Sequence, residues 1–339
     1  MSFDNRIEKF ALGGGRGIYR GTIHVGLVNN MPDPAMRATE LQFARLLKES
    51  AGALDARTVD VRLHLFSLNQ IERGELARSR MEGFYAGVDT LPMAGIDALI
   101  VTGAEPKTDD LRDEAYWDAL AHLVDWAEIG TLSTLFSCLA AHAAVLHLDG
   151  IARRKLPRKL SGVFTAERTT DDPLQTGLRS LIHVPHSRRN GISESELVAR
   201  GYRILSRLPN GEVDSFARDM PGRSRFLFLQ GHPEYGGETL GREYLRDVGR
   251  FLRGEGEAPA IPENYFDRMT EDRLAELAAE AQGEEDLADF TAVVLGAVPL
   301  MSWRGQTIKF FANWLTGIGI EKMRRLHRNP VQAQARRRA

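Results

Sequence analysis

Thr131-Leu-Ser-Thr-Leu-Phe-Ser-Cys138-Leu-Ala-Ala-His142-Ala-Ala-Val145 is the stretch that decides the fold. An apolar run that favours a β-strand ends at Cys138, the only cysteine of the chain, and small helix-forming residues follow at once. The pattern predicts a sharp strand-to-helix turn that holds the thiol at the carboxyl edge of a sheet. Free N–H groups at the start of the helix would then favour a thiolate and form an anion pocket. A free cysteine is more often a small buried hydrophobe, so this stretch alone leaves both interpretations open.

The residues before this stretch alternate between strand and helix patterns. Buried strands are predicted at 22–28, 59–66 and 96–101, and amphipathic helices at 36–48 and 111–129. Parallel strands need such crossover connections, so we predict an α/β fold with a doubly wound, mostly parallel sheet flanked by helices. Ligands collect at the carboxyl ends of the strands in sheets of this kind. Lys107, in the loop after the third strand, is therefore expected at the same edge as Cys138.

A second strand-end motif, His232-Pro233-Glu234, lies downstream of the cysteine. It follows a strand predicted at 225–229 and a glycine turn. Because the proline fixes the backbone between them, His232 and Glu234 point to the same side, and the carboxylate can orient the imidazole. An imidazolium stabilises a nearby thiolate, and the same histidine can later take a proton from a second substrate. The motif therefore favours Cys138 as a nucleophile.

Length and composition exclude several classes of protein. The chain has 339 residues, of which 43% are hydrophobic and 27% charged, as is usual for a globular protein with a large core. One cysteine excludes an internal disulfide framework and a multi-cysteine zinc site, and we predict no metal. No stretch has the pattern of a secretory signal or the roughly 18 apolar residues of a membrane span. A net charge of −2 gives no general attraction to nucleic acid, so a cytoplasmic enzyme without nucleic-acid or membrane partners is expected.

The same patterns predict five segments along the chain. Residues 1–20 are expected to be a leader with little core of its own, and residues 21–266 a catalytic α/β domain. Residues 267–300 are acidic and alanine-rich, which predicts a helical insertion. Aromatic residues in 301–323 are expected to pack that segment on the catalytic domain, and the basic residues 324–339 to be a disordered tail.

A series of short motifs extends over almost the whole chain. They are Asn30-Met-Pro32, Thr39-Glu-Leu-Gln42, Val101-Thr-Gly-Ala104, Ala115-Tyr-Trp117, Ser133-Thr-Leu-Phe136 with Cys138, Lys159-Leu-Ser-Gly-Val163, Pro185-His-Ser-Arg188, Gly231-His-Pro-Glu-Tyr235, Asn264-Tyr-Phe266, Ser302-Trp-Arg304 and Asn313-Trp-Leu315. In this order and spacing they resemble homoserine O-acyltransferases of the MetA (homoserine O-succinyltransferase) family. The resemblance implies the fold of class I glutamine amidotransferases, with a flavodoxin-like core.

The resemblance also implies a reaction. An acyl group would pass from acyl-CoA to a cysteine thioester and then to the hydroxyl of L-homoserine, in methionine biosynthesis. By the same resemblance Cys138 is the nucleophile, His232 the general base, and Glu234 the residue that orients and charges it. The backbone N–H of Leu139 is expected to hold the oxyanion at the helix start.

Three further positions match substrate-binding residues of the family, namely Lys159, Ser187 and Arg246. Arginine is suited to a bidentate grip on an amino-acid carboxylate, whereas lysine acts as a more mobile point charge. The co-substrate is acyl-CoA, and no bound cofactor is expected. Family members are often homodimers, although the sequence alone shows no interface.

The chain departs from the family pattern at three positions. Leu139 stands where tryptophan is common, which changes the pocket wall. His142 replaces the usual glutamine one turn beyond Cys138, as a competing proton acceptor or a structural residue. Lys107 stands where glycine accompanies succinyl transfer and glutamate accompanies acetyl transfer. A cation there would pair with the distal carboxylate of a succinyl group, so we favour succinyl over acetyl as the donor.

Other functions share part of this pattern. A glutamine amidotransferase or γ-glutamyl hydrolase would have the same sheet, cysteine and histidine, but usually has glycines beside the nucleophile, and Phe136-Ser-Cys-Leu-Ala140 has none. A noncatalytic scaffold is disfavoured because the nucleophile, His232 and Glu234 are all present. An acyltransferase with another acceptor, such as serine, remains an alternative because the pocket wall is altered.

Overall fold

The structure, a computed structural model, describes residues 21–54, 59–297 and 299–328. The predicted leader at 1–20 and residues 329–339 of the predicted tail lie outside the described residues. Within the described ranges, every helix is too short or too polar to cross a lipid bilayer.

The described residues form ten strands and nine α-helices. The strands are β1 (Gly21–Val28), β2 (Val59–Ser67), β3 (Tyr85–Gly87), β4 (Ala98–Val101), β5 (Ser133–Ser137), β6 (Arg154–Arg168), β7 (Leu181–Gly191), β8 (Arg203–Arg207), β9 (Val213–Arg218) and β10 (Arg225–Leu229). The helices are α1 (Asp33–Gly52), α2 (Glu75–Met81), α3 (Trp117–Gly130), α4 (Leu139–Asp149), α5 (Glu194–Ala199), α6 (Thr239–Leu252), α7 (Arg268–Glu280), α8 (Leu287–Gly296) and α9 (Arg304–Arg328).

All ten strands lie in one sheet, in the order β3-β2-β1-β4-β5-β10-β9-β8-β6-β7. The first six strands of this order are parallel, and each pair from β10 to β7 is antiparallel. This arrangement confirms the predicted α/β class and the mostly parallel sheet. The sequence patterns did not predict β3, β7 or β9.

Helices cover both faces of the parallel part of the sheet. Phe136 of β5 packs in a cluster with α3 and α4, whereas its neighbour Leu135 packs in a second cluster with α1 and α9. Successive side chains of a strand point to opposite faces, and both of these are fully buried. Burial on both faces explains why the central strands are continuous apolar runs. The sheet is therefore doubly wound, as predicted.

The C-terminal residues return to the body of the molecule. Trp314 of α9 is buried, and its Nε1 donates to Ser133 Oγ of β5 at 2.9 Å. Helices α7 and α8 pack with α6 and Trp303 in a cluster of their own. The start predicted for a disordered tail, at residue 324, falls inside α9, which continues to Arg328. Arg325 and Glu321 lie one helical turn apart and form a salt bridge, with 3.4 Å between Nε and Oε1, which stabilises this part of the helix.

Candidate active site

Cys138 forms the turn between β5 and α4. Its backbone has φ 51° and ψ −112°, a conformation that is costly for a residue with a Cβ. The Cys138 N–H donates to Leu229 O at the end of β10, at 2.7 Å, and this bond holds the turn against the sheet. The predicted strand-to-helix turn is confirmed, and the first free N–H groups of α4 follow the thiol directly.

The loop after β4 lies against this turn at Gly103. A Cβ on Gly103 would lie 2.5 Å from Leu139 Cβ and 3.2 Å from Leu139 N. Because a side chain does not fit there without movement, glycine allows the loop to touch the residue that follows the nucleophile. The loop and the start of α4 therefore form one wall of the site.

His232 and Glu234 form a buried pair at the end of β10. His232 Nδ1 donates to Glu234 Oε1 at 2.9 Å, and their side chains are only 9% and 5% exposed. The imidazole stacks on the Tyr235 ring, with 4.4 Å between the centroids. The His232 N–H also donates to Pro185 O of β7 at 2.7 Å. Ring and backbone are thus both fixed, which leaves Nε2 of the imidazole for chemistry.

The electrostatic surroundings of His232 favour its protonated form. Burial by itself would lower the pKa of this imidazole, but the negative charges of Cys138 and Glu234, and hydrogen bonds to both, outweigh burial. The net effect raises the pKa of His232 well above its usual value of 6.5. The site therefore favours an imidazolium beside the sulfur of Cys138, an arrangement that stabilises a thiolate.

One cavity of about 340 Å³ brings the predicted residues together. Its wall contains every predicted site residue except Lys107, namely Cys138, Leu139, Lys159, Ser187, His232, Glu234 and Arg246. Lys107 lies away from this wall, where its Nζ donates to Glu72 Oε2 at 2.6 Å and both side chains are more than 70% exposed. The structure therefore does not bring Lys107 to the cavity, and its role in donor choice stays a prediction.

The two cations predicted to bind substrate, Lys159 and Arg246, share one carboxylate, Asp247 of α6. Lys159 Nζ donates to Asp247 Oδ2 at 2.7 Å, and Arg246 Nε donates to Oδ1 at 3.0 Å. Lys159 is 19% exposed and Arg246 51% exposed, so the arginine is the more accessible of the two. Asp247 therefore fixes both cations at the cavity before any ligand arrives.

Sequence reasoning did not assign functions to several residues of the cavity wall. Glu243 accepts a bond from Tyr235 OH at 2.7 Å through Oε1, and its buried Oε2 has no hydrogen-bond partner among the described residues. The spacing of Glu243, Arg246 and Asp247 on one helix was the available signal, since residues three and four apart share a face. Arg188 of β7 is also buried against the cavity, where its charge interacts with that of Cys138.

His142 lies one turn along α4 from the nucleophile and also faces the cavity. It is 3% exposed, and neither ring nitrogen has a hydrogen bond of acceptable geometry in the described part of the chain. Burial and the charges of Arg188 and Arg153 lower the pKa of His142 to about 3, against a smaller opposing effect of the Gln230 amide. The ring is neutral at neutral pH and is a far weaker base than His232.

Comparison with protein families gives a match over most of the chain. The model of the family described as homoserine O-succinyltransferase matches residues 20–322. A homoserine O-succinyltransferase from Rhodopseudomonas palustris is 48% identical over 308 residues, 88% of this chain and 89% of the relative. Relatives of the same name from Methylorubrum extorquens and Bradyrhizobium japonicum are 48% and 47% identical, over 86% and 84% of this chain and 86% and 87% of their own lengths.

Solved structures that match this chain at low identity include glutamine amidotransferases. One from Methylobacillus flagellatus has a TM-score of 0.46 at 12% identity and covers 88% of this chain and 95% of its own. The glutaminase domain of Trypanosoma brucei CTPS, with bound acivicin, has a TM-score of 0.44 at 15% identity, over 62% of this chain and 86% of its own.

Proposed function

The chain belongs to the homoserine O-succinyltransferase family, and from this premise we propose that it transfers a succinyl group from succinyl-CoA through Cys138 to the hydroxyl of L-homoserine. Membership confirms the resemblance predicted from the motifs, and the names of the relatives agree with succinyl as the preferred donor. The observation that carries the proposal is the buried His232–Glu234 pair beside Cys138, in one cavity with Lys159 and Arg246. An acyl-CoA-dependent step of methionine biosynthesis is expected to take place in the cytoplasm.

The first half-reaction loads the cysteine. The Cys138 thiolate attacks the thioester carbonyl of succinyl-CoA, and the negative charge that develops on the carbonyl oxygen is held by the Leu139 N–H at the start of α4. As the tetrahedral intermediate collapses, the bond to the CoA sulfur breaks and the His232 imidazolium donates its proton to that sulfur. The products are CoA and a succinyl thioester on Cys138, with His232 neutral.

The second half-reaction depends on the charge lost at Cys138. In the free enzyme the anionic sulfur helps to raise the pKa of His232, and acylation removes that charge. Neutral His232 then accepts the proton of the homoserine hydroxyl, while the oxygen attacks the thioester carbonyl. The Cys138 thiolate leaves, O-succinylhomoserine forms, and the proton on His232 restores the starting ion pair.

The acceptor amino acid carries two charges that the cavity can match. Arg246 is the more exposed cation and is suited to a bidentate bond with the homoserine carboxylate. Lys159 adds a second positive charge on the same side, and Ser187 contributes a hydroxyl to the wall. The homoserine ammonium would pair with Glu243, whose buried Oε2 has no partner among the described residues. Together these groups would hold the γ-hydroxyl toward His232.

Asp247→Asn is expected to raise the KM for homoserine by about 10-fold while changing kcat less, because one lost charge-assisted pair corresponds to roughly 1.5–3 kcal/mol at most. The neutral amide would no longer fix Lys159 and Arg246, which make no contact with the reacting sulfur. Steady-state kinetics with homoserine as the varied substrate measure the effect. Asp171→Asn removes a highly exposed carboxylate and is the control. A large fall in kcat with unchanged KM would argue against this role.

Gly103→Ala is expected to lower kcat by about 10- to 100-fold, because a displacement of reacting atoms by about 1 Å can cost 100-fold. The new Cβ would push Leu139 and its N–H away from the position that holds the oxyanion. The variant is compared with Gly317→Ala, since a Cβ at Gly317 meets nothing within 4 Å. Equal kcat values for the two variants would show that the contact between the loop and Leu139 does not matter.

The proposed function is tested with the purified chain, paired donors and paired acceptors. Homoserine or serine is supplied with succinyl-CoA or acetyl-CoA, CoA release is followed, and the ester is identified by mass. We expect O-succinylhomoserine as the main product. A serine ester as the main product would support the alternative acceptor. Ammonia release from glutamine, without any ester, would support the amidotransferase-like alternative.

A further inference from the structure

Arg153 presents a positive charge to the wall of the active-site cavity without a carboxylate partner. Its Nη2 donates to the backbone oxygens of Thr108 and Asp109, at 3.2 and 3.0 Å, and these bonds fix the guanidinium against the loop after β4. No acceptor for Nη1 or Nε, and no carboxylate oxygen within 4 Å, is found among the residues that the structure describes. The side chain is half-buried, so the remaining donors are partly removed from water.

Most of the other cations of the wall already have a carboxylate partner, although Lys159 and Arg246 share the single carboxylate of Asp247. Arg188 pairs with Glu212 at 3.5 Å, and Arg250 pairs with Glu105 at 3.4 Å. Arg189 lines the cavity too, but its side chain is exposed to solvent. A ligand with a negative charge deep in the cavity would therefore meet Arg153 with its charge still unpaired.

His142 lines the same cavity as Arg153, and its ring has unused hydrogen-bonding capacity. Both of its ring nitrogens are buried, and the Gln230 amide is the only group of the described residues that interacts with them as a hydrogen-bond partner. The ring therefore has hydrogen-bonding capacity left for a ligand. The charge of Arg153 acts on this ring strongly enough to help keep it neutral. A neutral imidazole still has one N–H to donate, so both side chains bring hydrogen-bond donors to the cavity wall.

The length of a succinyl group is comparable with the distance along α4 from Cys138 to His142. His142 follows Cys138 by four residues, which places it about 6 Å further along the helix axis. The carboxylate carbon of a succinyl group is three carbon–carbon bonds from the thioester carbon, a reach of roughly 4 Å. A succinyl chain that starts at the Cys138 sulfur and lies along α4 would bring its carboxylate toward His142, and Arg153 lines the same cavity.

We propose that Arg153, with the His142 ring beside it, binds the distal carboxylate of the succinyl group and so selects the acyl donor. This inference rests on the proposed function, and it moves donor selection from Lys107 to the cavity wall. The Lys107 ammonium is bonded to Glu72 and is mostly exposed, so it would act on the acyl group only across solvent. An acetyl group has no carboxylate and would leave Arg153 unpaired.

The test compares succinyl-CoA with butyryl-CoA, which has the same four-carbon length and no carboxylate. The ratio of kcat/KM for the two donors is measured at saturating homoserine in wild type, Arg153→Gln, Arg153→Lys and Lys107→Gln. In Arg153→Gln we expect the value for succinyl-CoA to fall by about 10- to 100-fold, the loss expected for one charged hydrogen-bonded pair. The value for butyryl-CoA should stay within about 3-fold, which also shows that the variant is folded. Arg153→Lys should recover part of the preference.

Three outcomes would overturn the proposal. Unchanged kcat/KM values for both donors in Arg153→Gln would do so. An equal fall with both donors would also do so, because it would place Arg153 against the CoA part that the two donors share. A lost preference in Lys107→Gln alone would return donor selection to Lys107. Arg112→Gln, which removes an exposed cation from the same region, is the neutral control. Absence of O-succinylhomoserine in the wild type would instead contradict the proposed function, so the two failures are distinguishable.

Discussion

Cys138→Ala is expected to abolish succinyl transfer from CoA to homoserine. The chain has no other thiol that could carry the acyl group, and His232 would have no sulfur to activate. Without the covalent step, homoserine would have to attack the CoA thioester directly, with its hydroxyl aligned by the same cavity. Loss of a nucleophile of this kind reduces turnover by about a million-fold in an enzyme whose residues act as a unit.

Alanine is the informative replacement because it leaves the backbone strain at this position unchanged. Cys138 has a positive φ, and alanine, which also has a Cβ, is strained there to a similar degree. A glycine at this position would relax the turn and move the start of α4. The loss of activity in Cys138→Ala can therefore be assigned to the sulfur rather than to a change of the turn.

Two measurements check this prediction. Steady-state CoA release gives the rate, and intact-protein mass after incubation with succinyl-CoA, in the absence of homoserine, detects the thioester. Wild type should gain the mass of one succinyl group, lose it when homoserine is added, and release O-succinylhomoserine. The alanine variant should show neither the adduct nor turnover, with thermal unfolding close to that of wild type. Turnover retained in the variant would remove the covalent mechanism.

The sequence predicted those parts of the site that depend on local pattern. An apolar run, a cysteine and a small-residue helix determine the turn at Cys138, whatever packs around it. The relative orientation of His232 and Glu234 is also a local property, because the proline between them fixes the backbone. The parallel sheet followed from the alternation of strands and helices, which leaves few possible topologies.

What the sequence could not predict depends on contacts between distant parts of the chain. The direction of Lys107 is set by Glu72, 35 residues away, and Lys159 meets Asp247 from 88 residues away. The guanidinium of Arg153 is fixed by backbone oxygens 44 and 45 residues before it. From sequence alone, a run of basic residues is predicted to face solvent, because its partners elsewhere in the chain are not known. For the same reason β9 was missed, since its place in the sheet comes from pairing with β8 and β10.

Glu234→Gln is expected to lower kcat by about 100- to 10,000-fold with a much smaller change in the KM for homoserine. The first cause is electrostatic. The charge of Glu234 helps to raise the pKa of His232 against the effect of burial, and a neutral amide removes that contribution. With a lower pKa, His232 loses its proton at a lower pH than in wild type. The thiolate–imidazolium pair is then less populated at neutral pH, and loading of Cys138 slows.

The second cause is the position of the proton on the ring. In wild type Nδ1 donates to Glu234 Oε1, which leaves the unprotonated Nε2 of the neutral ring to act as the base after acylation. A glutamine can turn its NH₂ toward Nδ1, so that Nδ1 becomes the acceptor and Nε2 carries the proton. In that tautomer the ring cannot take a proton from homoserine at Nε2. Both half-reactions are thus impaired, although the groups proposed to bind homoserine are unchanged.

Kinetics and a direct titration together separate this role from a structural one. Steady-state rates give kcat and KM, and NMR of ¹³C-labelled histidine follows protonation of His232, whose signal is assigned by comparison with His232→Gln. The titration should move to lower pH in Glu234→Gln, because one of the charges that raise the pKa is gone. Glu238→Gln, four residues further on and exposed, removes a nearby carboxylate and should change neither quantity. An unchanged kcat in Glu234→Gln, or a titration that stays in place, would contradict the assignment of Glu234 as the residue that orients and charges the base.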